Sequence, residues 1–566
     1  MKKFSEFEYK RPDLSVLQTN FNQLLAEFDS ADNVDKQNHI INKINKLRND
    51  FDTMWNLAQI RHTIDTKDAL YEKENSFFDE AVPDFQALTN KFYKAMVGSK
   101  FQKELEEKWG KQFFSIAKMT VKTFSPEVLE DLKQENQLTS EYVKLRSSAK
   151  ILFEGKTYNL AGMMPFMQSP DRTVREKSNT AFWGFFKDNH KKFDEIYDKL
   201  VKTRHIIATK LGFDNFVELG YMRMLRSEYN ADQVADFRKM VLDHIVPVAQ
   251  ELRERQARRL GIDGDLKYYD IGFNFKTGNA TPKGNPEWIV ANGKKMYEEL
   301  SSETGVFFNY MLENQLLDLV NKEGKAGGGY CTYLANLKSP FIFSNFNGTS
   351  HDIDVLTHEA GHAFQVYESR NFEIPEYNWP TFEACEIHSM SMEFLTWPWM
   401  ESFFKEDVEK YKFSHLSGAL LFLPYGVSVD EFQHFVYANP EATPKERNAA
   451  WRKIEQKYLP WVDYKDNEFL EGGGFWQKQG HIYDMPFYYI DYTLAQICAF
   501  QFWKKSQEKS PVAFEDYLRL CRAGGSKPFL ELVDYANLKS PFEVESVQNV
   551  IGDVKEYLET VNDMAL

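Results

Sequence analysis

The chain has 566 residues, 43% of them hydrophobic and 27% charged, a globular composition with material for more than one core. A formal net charge of −15 argues against nucleic acid or an anionic membrane surface as partner. Cys331, Cys385, Cys498 and Cys521 are scattered without C-x-x-C spacing, so they read as reduced thiols of a cytoplasmic protein, not as a disulfide frame.

The opening Lys2-Lys3-Phe4-Ser5-Glu6 leads into no apolar run, so no secretory signal is expected. The longest apolar stretch, Gly418 to Val429, falls short of the roughly 18 residues a membrane span needs. From about Leu14 to Asn321, hydrophobic residues recur at helical spacing with Lys and Glu between them, as over Val201–Leu211 and Asp232–Leu260. Two stretches interrupt this pattern. FEGKTYNLAGMMPFMQSP over 153–170 suggests a boundary, with an N-terminal helical domain over 1–160 and a second domain over 161–566. The glycine- and proline-rich residues 261–286 read as an exposed excursion. Tyr330 to Phe346 is aromatic and branched with partial alternation, which predicts β structure ending at the turn Asn347-Gly348. Gly327-Gly328-Gly329 before it, and Gly472-Gly473-Gly474 later, are flaps or plain connectors. Neither is a phosphate loop, because no G-K-[ST] follows.

His358-Glu359-Ala360-Gly361-His362 has the form H-E-x-x-H. Residues four apart share a helix face, so both imidazoles can reach one Zn²⁺, with Glu359 beside the metal's water. Thr349 to Asp352 fits a capping box, and Ile353, Leu356, Ala360 and Tyr367 follow at helical spacing. Gly361 inside that helix costs about 1 kcal/mol against Ala, which implies a packing or access reason. A hydrolytic zinc site needs a third protein ligand and an open position. Thr381 to Met400, helical in composition to Trp397, offers Glu383, Glu386 and Glu393 on one stripe; spacing does not choose between Glu383 and Glu386. His388 is a rival, but it stands two positions from Glu386 and so points elsewhere.

HEAGH followed by E-I-H-S-M-S-M-E resembles the thimet oligopeptidase and oligoendopeptidase F family, most of all its Pz-peptidase-type bacterial branch. In that family the third ligand opens an E-x-x-S-x-x-x-E pattern, which is Glu386, Ser389 and Glu393 here. The resemblance therefore implies one Zn²⁺ on His358, His362 and Glu386, with Glu359 as general base on the metal's water. Asp354 matches an acidic family position and is placed to accept the second ring N–H of a liganding imidazole, and Glu393 belongs to the same surroundings. The segment 480–492 resembles the family's H…PFYY…Y region. By position, His481, Tyr489 and Tyr492 would hold the oxyanion and substrate, with Tyr488 as the alternate.

The implied fold is mainly α: a bilobal helical metallopeptidase with a deep substrate channel and a small β-sheet next to the HExxH helix. Residues 161–566 would be the catalytic domain. The implied activity is endopeptidase cleavage of short unfolded oligopeptides, including Gly- and Pro-containing, collagen-derived ones. Two other readings compete: a zinc hydrolase of a non-peptide bond, and a catalytically silent peptide-binding protein on the same scaffold. Oligomeric state and cleavage preference are not readable from the residues.

Overall fold

Residues 2–264, 266–464 and 466–566 are described by the computed structural model. Helices dominate, and their starts are fixed locally: Asp13, Asn33, Asp68 and Asp171 each accept N–H groups from the first turn that follows. Two long ones frame the molecule, α1 (Val34–Ile64) and α2 (Arg172–Lys210). The helix expected over Asp232–Leu260 runs from Ala231 to Leu260 but contains one π-helical turn, Val241–Ile245.

Among the described residues two large hydrophobic cores form, with a small third cluster at Leu260, Leu266 and Phe273. The N-terminal helices bury Phe21, Ile41, Phe51, Phe85, Phe92 and Phe113 together, closed by Ile374 and Tyr377 from the rest of the chain. The larger core takes in Phe7, Leu57 and Ile60 from the N-terminal stretch and then Leu132, Leu138 and Tyr142 of the helix Leu129–Ser147. Residues 153–170 are not an open break. A two-stranded hairpin, β1 (Ile151–Phe153) with β2 (Lys156–Tyr158), turns through Glu154 and Gly155, both at positive φ, and the helix Leu160–Met167 follows.

The stretch 261–286, expected to be an exposed excursion, is docked instead; Asp265 within it lies outside the described residues. Phe273 and Phe275 are buried, and the fully buried Asp270 carboxylate takes both Arg172 and Arg175, 2.7 and 2.9 Å away. Two charge-assisted contacts hold the loop down where composition alone suggested solvent.

A three-stranded sheet introduces the site: β3 (Leu317–Val320), β4 (Tyr330–Leu334) and β5 (Ser339–Phe346), in the order β3-β5-β4. β3 runs parallel to β5, and β4 antiparallel with Tyr330 opposite Phe343. The single β segment expected over 330–346 is thus two strands, turned at Ala335–Leu337, and β4 is the sheet's edge. Asn56 and Thr53 of α1 hydrogen-bond its far end, at Tyr333 O (3.2 Å) and Asn336 N (3.0 Å).

β5 leads into α3 (His351–Ser369), which carries H-E-x-x-H; α4 (Phe382–Leu395), α5 (Val408–Ala438) and α6 (Tyr489–Gln507) complete the surround. The start of α3 differs from the expected capping box. Ser350 is the N-cap and makes no side-chain cap, while Asp352 reaches back to the N–H groups of Asn347 and Gly348, both at 2.8 Å. The acid works as anticipated, but on the turn before the helix. Gly361 has its packing reason: a Cβ there would stand 2.6 Å from His388 O and 2.7 Å from Ser389 Cα. Only a glycine lets α3 lie this close to α4.

Candidate metal centre

Because α3 and α4 touch backbone to backbone at Gly361, the side chains one turn either side of the contact converge. His358 Nε2 and His362 Nε2 lie 3.2 and 3.4 Å from the same Glu386 oxygen, Oε2. The imidazole rings stand nearly perpendicular, 5.1 Å between centroids. Among the described residues these three alone form a His/Cys/Asp/Glu cluster with ligand atoms within 4.8 Å of one another. Two nitrogens and one carboxylate oxygen with a cleft beside them are the donor set of a catalytic zinc site. Glu359 Oε2, buried and without a hydrogen-bond partner among the described residues, belongs to the same cavity. The residues fit a divalent ion.

The electrostatics agree. Burial works against the charge on Glu386, yet the flanking His362 and His358 hold its carboxyl well below the usual carboxylate range. Burial likewise opposes a charge on His358, and hydrogen bonds to Glu386 and Glu393 override it, raising the imidazole well above its ordinary value. A metal ion bound there would take the place of that proton. Glu359 is shifted up by burial, partly offset by the two histidines.

The surroundings of the triad are specific. Glu393 Oε1 sits 2.7 Å from His358 Nδ1, and its Oε2 sits 2.7 Å from His415 Nε2. Trp397 Nε1–H donates to His415 Nδ1 at 3.1 Å, so the His415 proton must be on Nε2, facing Glu393. Asp354 does not accept the ligand imidazole's N–H as expected: that bond goes to Glu393, while Asp354 accepts from the Tyr411 hydroxyl at 2.8 Å. Asp354 is one full turn back on α3, so the imidazole edge of His358 turns toward α4 instead. Glu383, the rival ligand, faces away and accepts from the Tyr229 hydroxyl.

On the opposite wall, His481, Tyr488 and Tyr492 line the cleft with the triad, in a cavity of about 590 Å³. Tyr488 donates to Glu386 Oε1, and Ser389 to Oε2 at 2.8 Å. Tyr489, named from the sequence, is not among the residues lining this cavity; its ring packs behind it on His481 and Tyr492 (5.2 and 5.3 Å between centroids) and on Tyr425 and Phe422. Tyr488 and Tyr492 are four apart, on one face at the start of α6; Tyr489 is rotated a quarter-turn from it. A chain of polar contacts backs Tyr492: Tyr425 OH donates to Gln479 Oε1 (2.8 Å), Gln479 Nε2 lies 2.8 Å from His481 Nδ1, and His481 Nε2 lies 3.0 Å from the Tyr492 oxygen. Burial lowers the His481 pKa, favouring neutral imidazole. The amide fixes its proton on Nε2, which leaves the Tyr492 hydroxyl proton free to point into the cleft. The cleft is closed from the N-terminal lobe by Arg48 and Asp52 of α1, with Arg48 paired to Glu376 at 2.5 Å.

His415, Gln479 and Tyr425 were not foreseen. They have no spacing relation to the motif; the packing of α5 over the site reveals His415 and Tyr425, and the segment leading into His481 brings in Gln479.

A helical two-lobed body enclosing two imidazoles, a carboxylate and an orphaned glutamate is the build of a metallopeptidase. Residues 165–287 and 290–549 match peptidase family M3, and residues 4–124 match the peptidase M3 N-terminal domain. The chain belongs to peptidase family M3. A solved structure of PZ peptidase A with an inhibitor is 63% identical, superposes with a TM-score of 0.99, and covers 99% of this chain and 100% of that one. The oligoendopeptidase F homolog of Borreliella burgdorferi is 23% identical over 458 residues, 76% of this chain and 74% of the relative. Oligoendopeptidase F, chromosomal, of Lactococcus lactis subsp. cremoris is 23% identical over 398 residues, 67% of this chain and 62% of its own length. The protein is therefore a metalloendopeptidase of the oligoendopeptidase kind, acting on peptides. Among the described residues no helix is long and apolar enough to cross a membrane.

Proposed function

We propose that the protein hydrolyses internal peptide bonds of short, unfolded oligopeptides at one zinc ion held by His358, His362 and Glu386. The convergence of both imidazole nitrogens on one Glu386 oxygen carries this reading. Zinc bound there supplies Lewis-acid polarisation of the scissile carbonyl and acidifies water in the open position. Glu359 is the general base: its unpartnered Oε2 takes the water's proton and passes it to the leaving amine. Tyr492, oriented by the neutral His481, donates to the developing oxyanion, and such a donor is worth around 3 kcal/mol. Tyr488 donates to Glu386 itself and would serve as the second phenol donor once substrate is bound. Glu393 holds the tautomer of His358.

The cleft explains the substrate class. Gly329, Tyr330 and Cys331, at the open half of the β4 edge, line it, so an extended peptide can add to the sheet beside the zinc ligands. A Cβ on Gly329 would stand 3.2 Å from Glu359 Oε1, so the backbone there approaches the base closely. Folded proteins cannot present such a strand between two lobes. The 63% identical PZ peptidase makes Gly- and Pro-containing, collagen-derived peptides the first substrates to try. The four cysteines, all unpaired, suit a reducing cytoplasm.

A quenched fluorescent peptide, assayed with and without chelator, tests the reading together with metal analysis. Glu359→Gln is expected to keep one equivalent of zinc while turnover falls by about 10²–10⁴. Near-normal turnover would remove Glu359 from the mechanism, and chelator-resistant cleavage would remove the metal.

A further inference from the structure

A second cavity, about 420 Å³, adjoins the wall that carries His481. Phe422 and Tyr425 of α5 form the partition. Both line this cavity, yet Phe422 packs edge-on against Tyr492 (6.3 Å between centroids) and the Tyr425 hydroxyl holds Gln479. Trp183, Trp461 and Phe475 add further aromatic wall. Lys478 Nζ lies 4.0 Å from the centroid of Phe475, 5.6 Å from Trp183 and 5.9 Å from Tyr425; a second cation, Arg253, lines the same cavity and donates to Gln256 Oε1 (2.7 Å) and Ile271 O (3.2 Å).

Lys478 has no acid of its own. Among the described residues it makes no ion pair and no side-chain hydrogen bond; the cavity's carboxylate, Glu455, is already engaged by Tyr464 (2.9 Å) and Arg452 (3.2 Å). Burial, with a smaller contribution from Arg146, brings the Lys478 ammonium down to about 8, so it stays mostly charged at neutral pH. In a chain with a net charge of −15, a cation left without a counter-charge in an aromatic box is out of keeping with the rest of the surface. Rings, the Lys478 ammonium and the Arg253 guanidinium together suit a carboxylate carried next to an apolar side chain.

We propose that this cavity is a substrate subsite that takes a carboxylate-bearing end of the peptide, with Lys478 pairing the carboxylate and the aromatic walls holding the apolar residue beside it. The proposal rests on the peptide-hydrolysis reading, because the ligand is the same peptide that reaches the zinc. Lys478 stands next to Gln479, which is hydrogen-bonded to His481, so one short segment contributes to both cavities.

Binding decides it independently of turnover. Zinc-loaded Glu359→Gln protein is titrated by fluorescence anisotropy with three labelled peptides of one sequence: C-terminal acid, C-terminal amide, and the amide with a glutamate near its end. Lys478→Met on that background is expected to weaken one carboxylate peptide about 30-fold or more, the order seen when one partner of a desolvated charge pair is lost, and to leave the plain amide within about twofold. Loss confined to the acid assigns the α-carboxylate; loss confined to the glutamate peptide assigns a side chain. Lys478→Arg should retain the preference, which separates the charge from a folding defect. Equal binding of all three peptides to the parent protein, or equal weakening of all three by Lys478→Met, overturns the subsite. Failure of the wild-type chain to cleave any peptide would instead overturn the hydrolytic reading and leave this binding result standing.

Discussion

Replacing Glu393 with glutamine changes one atom and removes one of two hydrogen bonds that the site cannot rearrange to keep. Glu393 accepts from His358 Nδ1 and from His415 Nε2, both at 2.7 Å. The His415 tautomer is fixed by Trp397, which donates to its Nδ1 at 3.1 Å. A glutamine therefore meets two N–H donors with one oxygen. Whichever way the amide turns, one donor faces an NH₂ group. The carboxylate is held strongly ionised, at about 2, by His358 and His415 against its own burial, so the lost bond is charge-assisted and worth roughly 1.5–3 kcal/mol. If His358 keeps the oxygen, its basicity still falls with the lost charge. If it does not, its Nε2 loses its orientation as well. Either way zinc affinity should drop about 10–100-fold. Competition with a chromogenic chelator measures that constant directly, and turnover at saturating zinc should recover to within a few-fold of wild type, since no group facing the substrate has changed. A zinc dissociation constant within about twofold of the parent would refute the argument that the Glu393 carboxylate sets the ligand's basicity.

Gly361→Ala should lower the melting temperature and the zinc occupancy together. Its Cβ would collide with backbone atoms of α4 at 2.6 and 2.7 Å, and overpacking of about 1–3 kcal/mol outweighs the roughly 1 kcal/mol of helix propensity gained; a stabilised variant with full zinc would show that the helices are not in contact there. Tyr488→Phe and Tyr492→Phe should each cost more in kcat than in KM, whereas Tyr489→Phe, turned to Phe422 and Tyr425, should change kcat less than about threefold. The reverse ranking, read from steady-state kinetics, would restore Tyr489 as the donor. Glu455 is raised to about 7 by burial. The folded chain therefore holds a proton that the unfolded chain releases near 4.5, and this group's contribution to stability declines as pH rises from about 4.5 to about 7, then levels off, by an amount on the order of 3 kcal/mol at most. Denaturant titrations at pH 5 and 7.5 should show a flatter dependence in Glu455→Gln; an unchanged slope would mean the carboxyl is hydrated in the native state.

What the sequence disclosed follows from how local each signal was. The H-E-x-x-H spacing and the helical period around it are statements about neighbours three and four apart, so α3, its two imidazoles and Glu359 could be placed without tertiary information. Glu386 could not be separated from Glu383 by spacing, because both lie on the same stripe of α4; the resemblance chose, and the geometry shows one facing the imidazoles and the other facing Tyr229. Tyr488 was recoverable: it stands four before Tyr492, the relation already used for the histidines. The partner of His358 Nδ1 was assigned to Asp354 because that residue is close along the chain, but hydrogen bonds across packed helices ignore chain distance, and Glu393 arrives from α4. His415, Gln479 and Lys478 had no local signature. Each acquires its role only when α5, or the segment just before α6, is laid over the cleft.

An incomplete sheet margin ordinarily invites copies of the same protein to stack on it. Here the margin of β4 is fastened at one end by Asn56 and Thr53, and its remaining half faces an enclosed space walled by the amino-terminal lobe. The overhang that covers this rim leaves Gly329, Tyr330 and Cys331 facing the cleft. Resistance to self-association and choice of guest would then come from one architectural element, and shortening α1 should loosen both at once.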